Sequence, residues 1–405
     1  MTTLNLNKLK NLLSKMSQKD IISGTEMPES PAPYQGWQVI SPQTGESECL
    51  RVFATLTEIV DLYDLNVPVP RKWCWFTAII NKEAVEYKNS IPFLDEAFQP
   101  DSKHLMILLD CLNNPTKPGS GKGYYGFGEA GVGKTSTALW LFAVTRTAIV
   151  HLNCKSNMEM EEFFISQVAH NGVWDTYSGP VLQAVERNWP LLADELDLAP
   201  AEFLPAMNNL IEGRSFAIPY YKDKVIRAKS FFHLVGFGNT GSFGAEIGNY
   251  SGRNQMDSSF LDRLYKDHYD PLSVEKLTAL IIKQLPGEED LAERLAKFAF
   301  EVNKGVSEGS LVEQLSPRQL VALITLYKAE RTFLKYPMLY ALGHVLSSMI
   351  ECSGQKEKIF SIYSTCLADS ALDVAEISQN WENRYEPTVE IVVIKNVKAK
   401  KAKAS

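Results

Sequence analysis

Residues 128–135 read Gly-Glu-Ala-Gly-Val-Gly-Lys-Thr, and no other stretch of the chain constrains its fold so narrowly. The glycines allow backbone angles that turn successive N–H groups inward, and the helix expected to begin at Lys134 aims its positive dipole end at the same spot. Such a cradle works only if a buried strand delivers the chain to it and an apolar helix carries it away. Both flanks are present: Gly123 to Phe127 suits a short buried strand, and Thr137 to Val144 an apolar helix. The pattern G-x-x-x-x-G-K-[ST] in this setting predicts a P-loop holding ATP through Gly128, Glu129, Ala130, Gly131, Val132, Gly133, Lys134, Thr135 and Ser136. Lys134 is expected to reach the β and γ oxygens, and Thr135 to ligate Mg2+.

A phosphate cradle alone hydrolyses nothing. The segment WPLLADELDLAP supplies an apolar run ending in Asp194-Glu195. An acid at the C-terminal end of a buried strand stands at the edge of the sheet where ligands bind. Asp194 is therefore the second candidate for Mg2+, and Glu195 the residue to orient and polarise the attacking water. Further on, FFHLVGFGNTGSFG reads as another buried strand ending near Asn239, an amide placed to sense the γ-phosphate; the bland alternative is that Asn239-Thr240-Gly241 is only a turn. Arg253 and Arg263 follow, and transition-state charge on a transferred phosphoryl group is well met by an arginine fork, including one lent by a neighbouring subunit.

The rest of the chain sorts itself around this centre. Candidate strands Gly123 to Phe127, Ala148 to Asn153, Pro190 to Ala193 and Phe231 to Phe237 alternate with helices, as in a three-layer α/β domain. From about Leu272 apolar residues recur at spacings of three and four, which predicts a helical bundle. The expected divisions are an N-terminal helix and linker (1–35), a mixed region (36–110), the α/β core (111–270), a helical lid (271–378) and an extension with a lysine-rich tail (379–405). Leu6, Leu9, Leu13 and Met16 lie at helical spacing among lysines, which suggests a short docking helix, with an amphipathic transit peptide as the alternative. A net charge of −7 does not advertise nucleic acid or an anionic membrane as partner. The six cysteines form no C-x-x-C pair, which suits a reducing cytoplasm, and no apolar run is long enough to span a bilayer.

The order of these motifs resembles that of AAA+ ATPases. LLADELDLAPAEFLPAMNNLIEGR is similar to the Walker B segment and following helix of MoxR-type proteins. GNTGSFGAEIGNYSGRNQMDSSFLDRL resembles the corresponding stretch of CobS, the AAA+ subunit of aerobic cobaltochelatase, and LSPRQ (Leu315 to Gln319) resembles the sensor 2 motif of both. The resemblance implies an α/β fold: an AAA+ three-layer P-loop NTPase core, a C-terminal helical lid and a mixed α+β N-terminal region. It implies Asn239 as sensor 1, Arg263 as the arginine finger with Arg253 in reserve, and Arg318 as the sensor 2 arginine. It also implies a homohexameric ring and a protein partner, commonly one with a von Willebrand A domain. By the same resemblance Met158 to Arg187 holds an insertion with Asn171 to Gly179 as its exposed loop, and Ser215 to Phe232 a hairpin. Trp174, Tyr177, Tyr220 and Tyr221 become candidate partner contacts, against the alternative that they merely pack locally.

The leading expectation is a ring motor that remodels a protein. Its rivals are the motor subunit of a cobaltochelatase-like complex, an ATP-switched assembly module, and a nucleic-acid translocase using Lys222, Lys224, Arg227 and Lys229. The six histidines show no paired ligand spacing, so a tetrapyrrole metal would fall to another subunit.

Overall fold

The computed structural model describes residues 4–117, 123–170, 173–218, 224–241, 254, 256–351, 355–367 and 373–388, with the side chains of 167–170 and 173–174 excepted. Two compact units divide it, Met1–Pro271 and Leu272–Ser405.

The first unit holds two larger sheets. Strands β1 (Ile21–Gly24), β2 (Gly36–Ile40), β3 (Ser47–Thr55) and β4 (Trp73–Ile80) pair in chain order, the first two parallel and the rest antiparallel. The second sheet draws on β5 (Gly123–Gly128), β6 (Val150–Asn153), β9 (Leu191–Asp194), β12 (Leu234–Gly238) and β13 (Leu264–Tyr269), all parallel in the order β13-β5-β12-β9-β6. Between them in sequence lie two antiparallel hairpins, β7 (Ile165–His170) with β8 (Val173–Ser178) and β10 (Ser215–Ala217) with β11 (Val225–Arg227). Strands covered on both faces must be apolar throughout, and β12 is buried at all five residues. It begins at Leu234, not Phe231, because the preceding residues make a turn in which Phe232 N donates to Lys229 O.

The helix Lys134–Val144 shows why the first hundred residues are structured. It carries Trp140, Leu141, Phe142, Ala143 and Val144 buried in succession, so it is apolar all round and needs cover on the side away from the sheet as well. Val52, Leu56, Ile59, Val60, Cys74 and Phe76 provide it, in one hydrophobic cluster with Leu192, Val235 and Phe237 of the parallel sheet. Tyr63 Oη donates to Val144 O at 3.0 Å, and the buried Arg51 donates to Thr77 Oγ1, Tyr87 Oη and Thr147 Oγ1 at 3.1, 3.2 and 2.9 Å. The N-terminal helix Leu6–Leu13 docks on the same region with Leu12 buried, Lys8 between Asp61 and Asp64 at 2.7 Å each, and Lys15 on Glu58 at 2.6 Å. Leu6, expected on its apolar face, is exposed.

The second unit is helical: Val274–Gln284, Glu289–Ser307, Pro317–Glu330, Pro337–Val345, Ser347–Glu351, Lys356–Cys366 and Val374–Glu382 among the described residues. Leu277, Ile281, Leu295, Phe298, Leu323, Leu342, Phe360 and Trp381 are among those filling its core. No helix of the described residues is long and apolar enough to cross a membrane.

On β3, burial pushes the carboxyl of Glu48 up to about 7, against the opposing pull of Trp189 and Arg51. A carboxyl raised in this way holds its proton preferentially in the folded chain. Its contribution to stability is full below the ordinary glutamate value of 4.5 and is lost as pH rises through about 7. Glu48→Gln should therefore melt with wild type near pH 5 and above it at pH 8, as thermal unfolding across that range will show.

Candidate functional site

The site grows from the end of β5. Gly128, Gly131 and Gly133 take φ of +147°, +82° and +93°, a region that favours glycine. At Gly128 there is no alternative, since a Cβ would meet Tyr269 O at 2.3 Å. The loop curls back so that Lys134, nearly buried, donates from Nζ to Gly128 O at 2.8 Å and Glu129 O at 2.6 Å. A third acceptor comes from across the sheet, Asn239 Oδ1 at 2.9 Å. Val132 packs against the cluster that covers the P-loop helix, and Ala130 and Ser136 are exposed.

Parallel pairing of β12 between β5 and β9 makes this meeting possible. Gly238↔Phe127 and Gly236↔Ala193 are register partners, so the strand ends carrying Asn239 and Asp194 finish beside the P-loop. Thr135 Oγ1 donates to Asp194 Oδ1 at 2.6 Å. The structure thus joins Lys134 to Asn239 and Thr135 to Asp194, four residues from three segments of the sequence.

Glu195 follows at φ +54° and ψ +38°, left-handed for a residue with a side chain. Holding such a residue there costs on the order of 1 kcal/mol, and strain of this kind gathers at functional sites. Two residues on, Asp197 is 1% exposed and accepts from Asn239 N and Thr240 N at 2.9 Å each and from Thr240 Oγ1 at 2.8 Å. Tyr125 Oη donates to Thr240 O at 2.6 Å. The turn carrying Asn239 is therefore clamped from both sides.

The local field is negative. The Cys154 thiol, whose backbone N–H donates to Asp194 O at 2.9 Å, is pushed up to about 12 by burial first, then by Asp194, Asp197 and Glu195. Such a field suits a cation. Mg2+ is octahedral and commonly takes one or two protein oxygens besides phosphates and water. Thr135 Oγ1 and Asp194 Oδ1, within hydrogen-bond distance of each other, form a donor set of that kind.

The other expected residues belong to other segments of the sequence. Arg263 Nε meets Glu212 Oε1 at 2.8 Å and its Nη1 donates to Ser259 O, while the other oxygen of Glu212 meets Arg214 Nε at 3.0 Å. Arg318 is an exposed residue of the second unit, in the first turn of Pro317–Glu330. Its neighbours in LSPRQ start that helix: Ser316 Oγ accepts from Gln319 N at 3.2 Å and Gln319 Oε1 from Ser316 N at 2.8 Å, with Pro317 in the first turn. Trp174 and Tyr177 stand on β8, an edge of a hairpin and not an irregular loop, and Tyr177 is 57% exposed. The signal was available in Asn171-Gly172, the dipeptide that marks a two-residue hairpin connection. Arg253, Tyr220 and Tyr221 lie outside the described residues.

Two residues escaped the sequence reading. Asp197 is the third acid of ADELD, one more than the motif needs. His151 lies on β6 and donates from Nε2 to Asp194 Oδ2 at 2.9 Å; a strand histidine two residues before the strand's end gives no sign in sequence of which neighbour it will face.

Residues 127–264 match the family model of the AAA domain, dynein-related subfamily. An uncharacterized protein of Staphylococcus aureus (strain USA300) is 26% identical over 215 residues, half of this chain and 78% of that protein. Midasin of Dictyostelium discoideum is 26% identical over 159 residues, 39% of this chain but 3% of midasin. Fold, site and match agree: the chain carries an AAA+ ATPase-type domain of the dynein-related kind on a P-loop core.

Asp197→Ala would strand two backbone donors and a hydroxyl and should cost about 2–4 kcal/mol in chemical denaturation, whereas a solvated surface acid would cost almost nothing.

Proposed function

We propose that the protein is an ATP-hydrolysing ring motor of MoxR/CobS type that remodels or activates a protein partner. The observation that carries this reading is the convergence of Lys134, Asn239, Thr135 and Asp194 at the ends of three adjacent parallel strands.

In this reading the glycines and Lys134 hold the triphosphate, with Lys134 leaving backbone carbonyls to meet phosphate oxygens. Thr135 and Asp194 would hold Mg2+, which would supply neutralisation of the phosphate charge. Glu195 orients and polarises the attacking water, and Asn239, fixed by Asp197, helps place it. Arg263 belongs to the neighbouring site. Within its own chain it is held by Glu212, so a neighbour's phosphates compete with that carboxylate for the guanidinium, and hydrolysis depends on assembly. Arg318 serves as the lid arginine, and the exposed Tyr177 on its hairpin is a candidate contact for a protein partner, among them one with a von Willebrand A domain.

Turnover per subunit should rise with protein concentration as light scattering records assembly. Glu195→Gln should bind ATP without hydrolysing it. Arg263→Ala should still assemble yet lose about 1000-fold or more in turnover, the scale of a missing arginine finger. Full activity of a monomer, or of Arg263→Ala, would rule out the trans-completed ring.

A further inference from the structure

The carboxylate of Asp194 divides its two oxygens. Oδ1 accepts from Thr135, the other candidate ligand, and Oδ2 accepts from His151 Nε2 at 2.9 Å. A carboxylate only accepts, so the imidazole proton sits on Nε2. His151 and Asn153 lie on one face of β6, opposite the buried Leu152, and Asn153 is the register partner of Asp194. The imidazole thus reaches one pleat along its face to the acid on the adjacent strand. With 47% of its side chain exposed, it contributes little as packing.

We propose that His151 is a positioning residue for the divalent cation: it pins the rotation of the Asp194 carboxylate so that Oδ1 is presented beside Thr135. The inference rests on the nucleotide-binding reading of the site. The terminal torsion of aspartate is broad and roughly two-fold, so a carboxylate held at one oxygen alone samples orientations that face away from a ligand. A donor on Oδ2 removes that freedom and leaves the metal-facing oxygen unobstructed. Outer partners of ligating groups carry about 10–100-fold in metal affinity.

The test uses Mn2+ as the paramagnetic stand-in for Mg2+, titrated into the full chain at saturating ADP with free Mn2+ read by electron paramagnetic resonance. ADP affinity is measured separately in EDTA. His151→Ala should weaken Mn2+ binding by about 10-fold and leave metal-free ADP affinity unchanged, and His151→Gln, which restores an N–H donor, should bind Mn2+ close to wild type. Equal Mn2+ affinity in wild type and His151→Ala would overturn the proposal, as would a matching loss of ADP affinity in EDTA or a His151→Gln as weak as the alanine variant. Wild type that takes up ADP but no Mn2+ would overturn it while sparing the nucleotide site, and wild type that takes up neither would remove the site and the inference together.

Discussion

The site depends on one backbone ladder, the parallel pairing of β12 on both sides, with β5 and with β9. Were β9 the direct neighbour of β5, Asp194 could still approach Thr135, but Asn239 would have no place at Lys134. Inserting β12 spends the hydrogen-bonding edges of three strands at once and leaves their C-terminal ends level. Each strand must then be apolar on both faces, and the polar residues that matter can appear only where the strands stop. Asn239 and Asp194 are such residues.

Cover for the P-loop helix follows from the same layering. Lys134–Val144 is buried from Trp140 to Val144 without a break, so it carries apolar surface beyond the side that faces the sheet, too much to leave in water. Residues of β3, β4 and the helix Leu56–Asp61 close over it. The N-terminal region is thus part of the hydrophobic core that steadies the phosphate-binding helix. Tyr63 and Arg51 secure the join by hydrogen bonds to residues at and just beyond that helix's C-terminal end, leaving its N-terminal end, where phosphate would sit, to the loop.

Around the strand ends, acids are sorted by surroundings. Asp197 is buried against backbone N–H groups and holds a turn. Asp194 is shared between Thr135 and His151. Glu195 occupies the left-handed turn between the strand that ends at Asp194 and the short 3-10 helix that holds Asp197. Three carboxylates within four residues would repel, and the separate donors given to Asp194 and Asp197 are what make their proximity tolerable. Arg263, by contrast, is satisfied within its own chain by Glu212, the same carboxylate that holds Arg214.

Much of this was legible beforehand. Gly128 to Thr135 determined the loop, since only glycine tolerates its backbone angles and the approach of Tyr269 O, and apolar runs marked four of the five parallel strands to within a few residues; β13, whose Lys266 and His268 interrupt any apolar run, was not among them. Asp194 was legible because an acid after an apolar strand can only stand at the sheet edge. The hairpin β7–β8 was not foreseen, because the expectation for Asn171 to Gly179, an exposed loop, came from a family resemblance and not from the residues themselves. What sequence alone could not decide was adjacency. Strand order is set by crossovers longer than any local pattern, so nothing linear told that Asn239 would meet Lys134, that Asp197 would clamp the turn bearing it, or that His151 would face Asp194. Local chemistry dictates which residues end strands and line loops; only the packing of the whole sheet decides which of those ends come together.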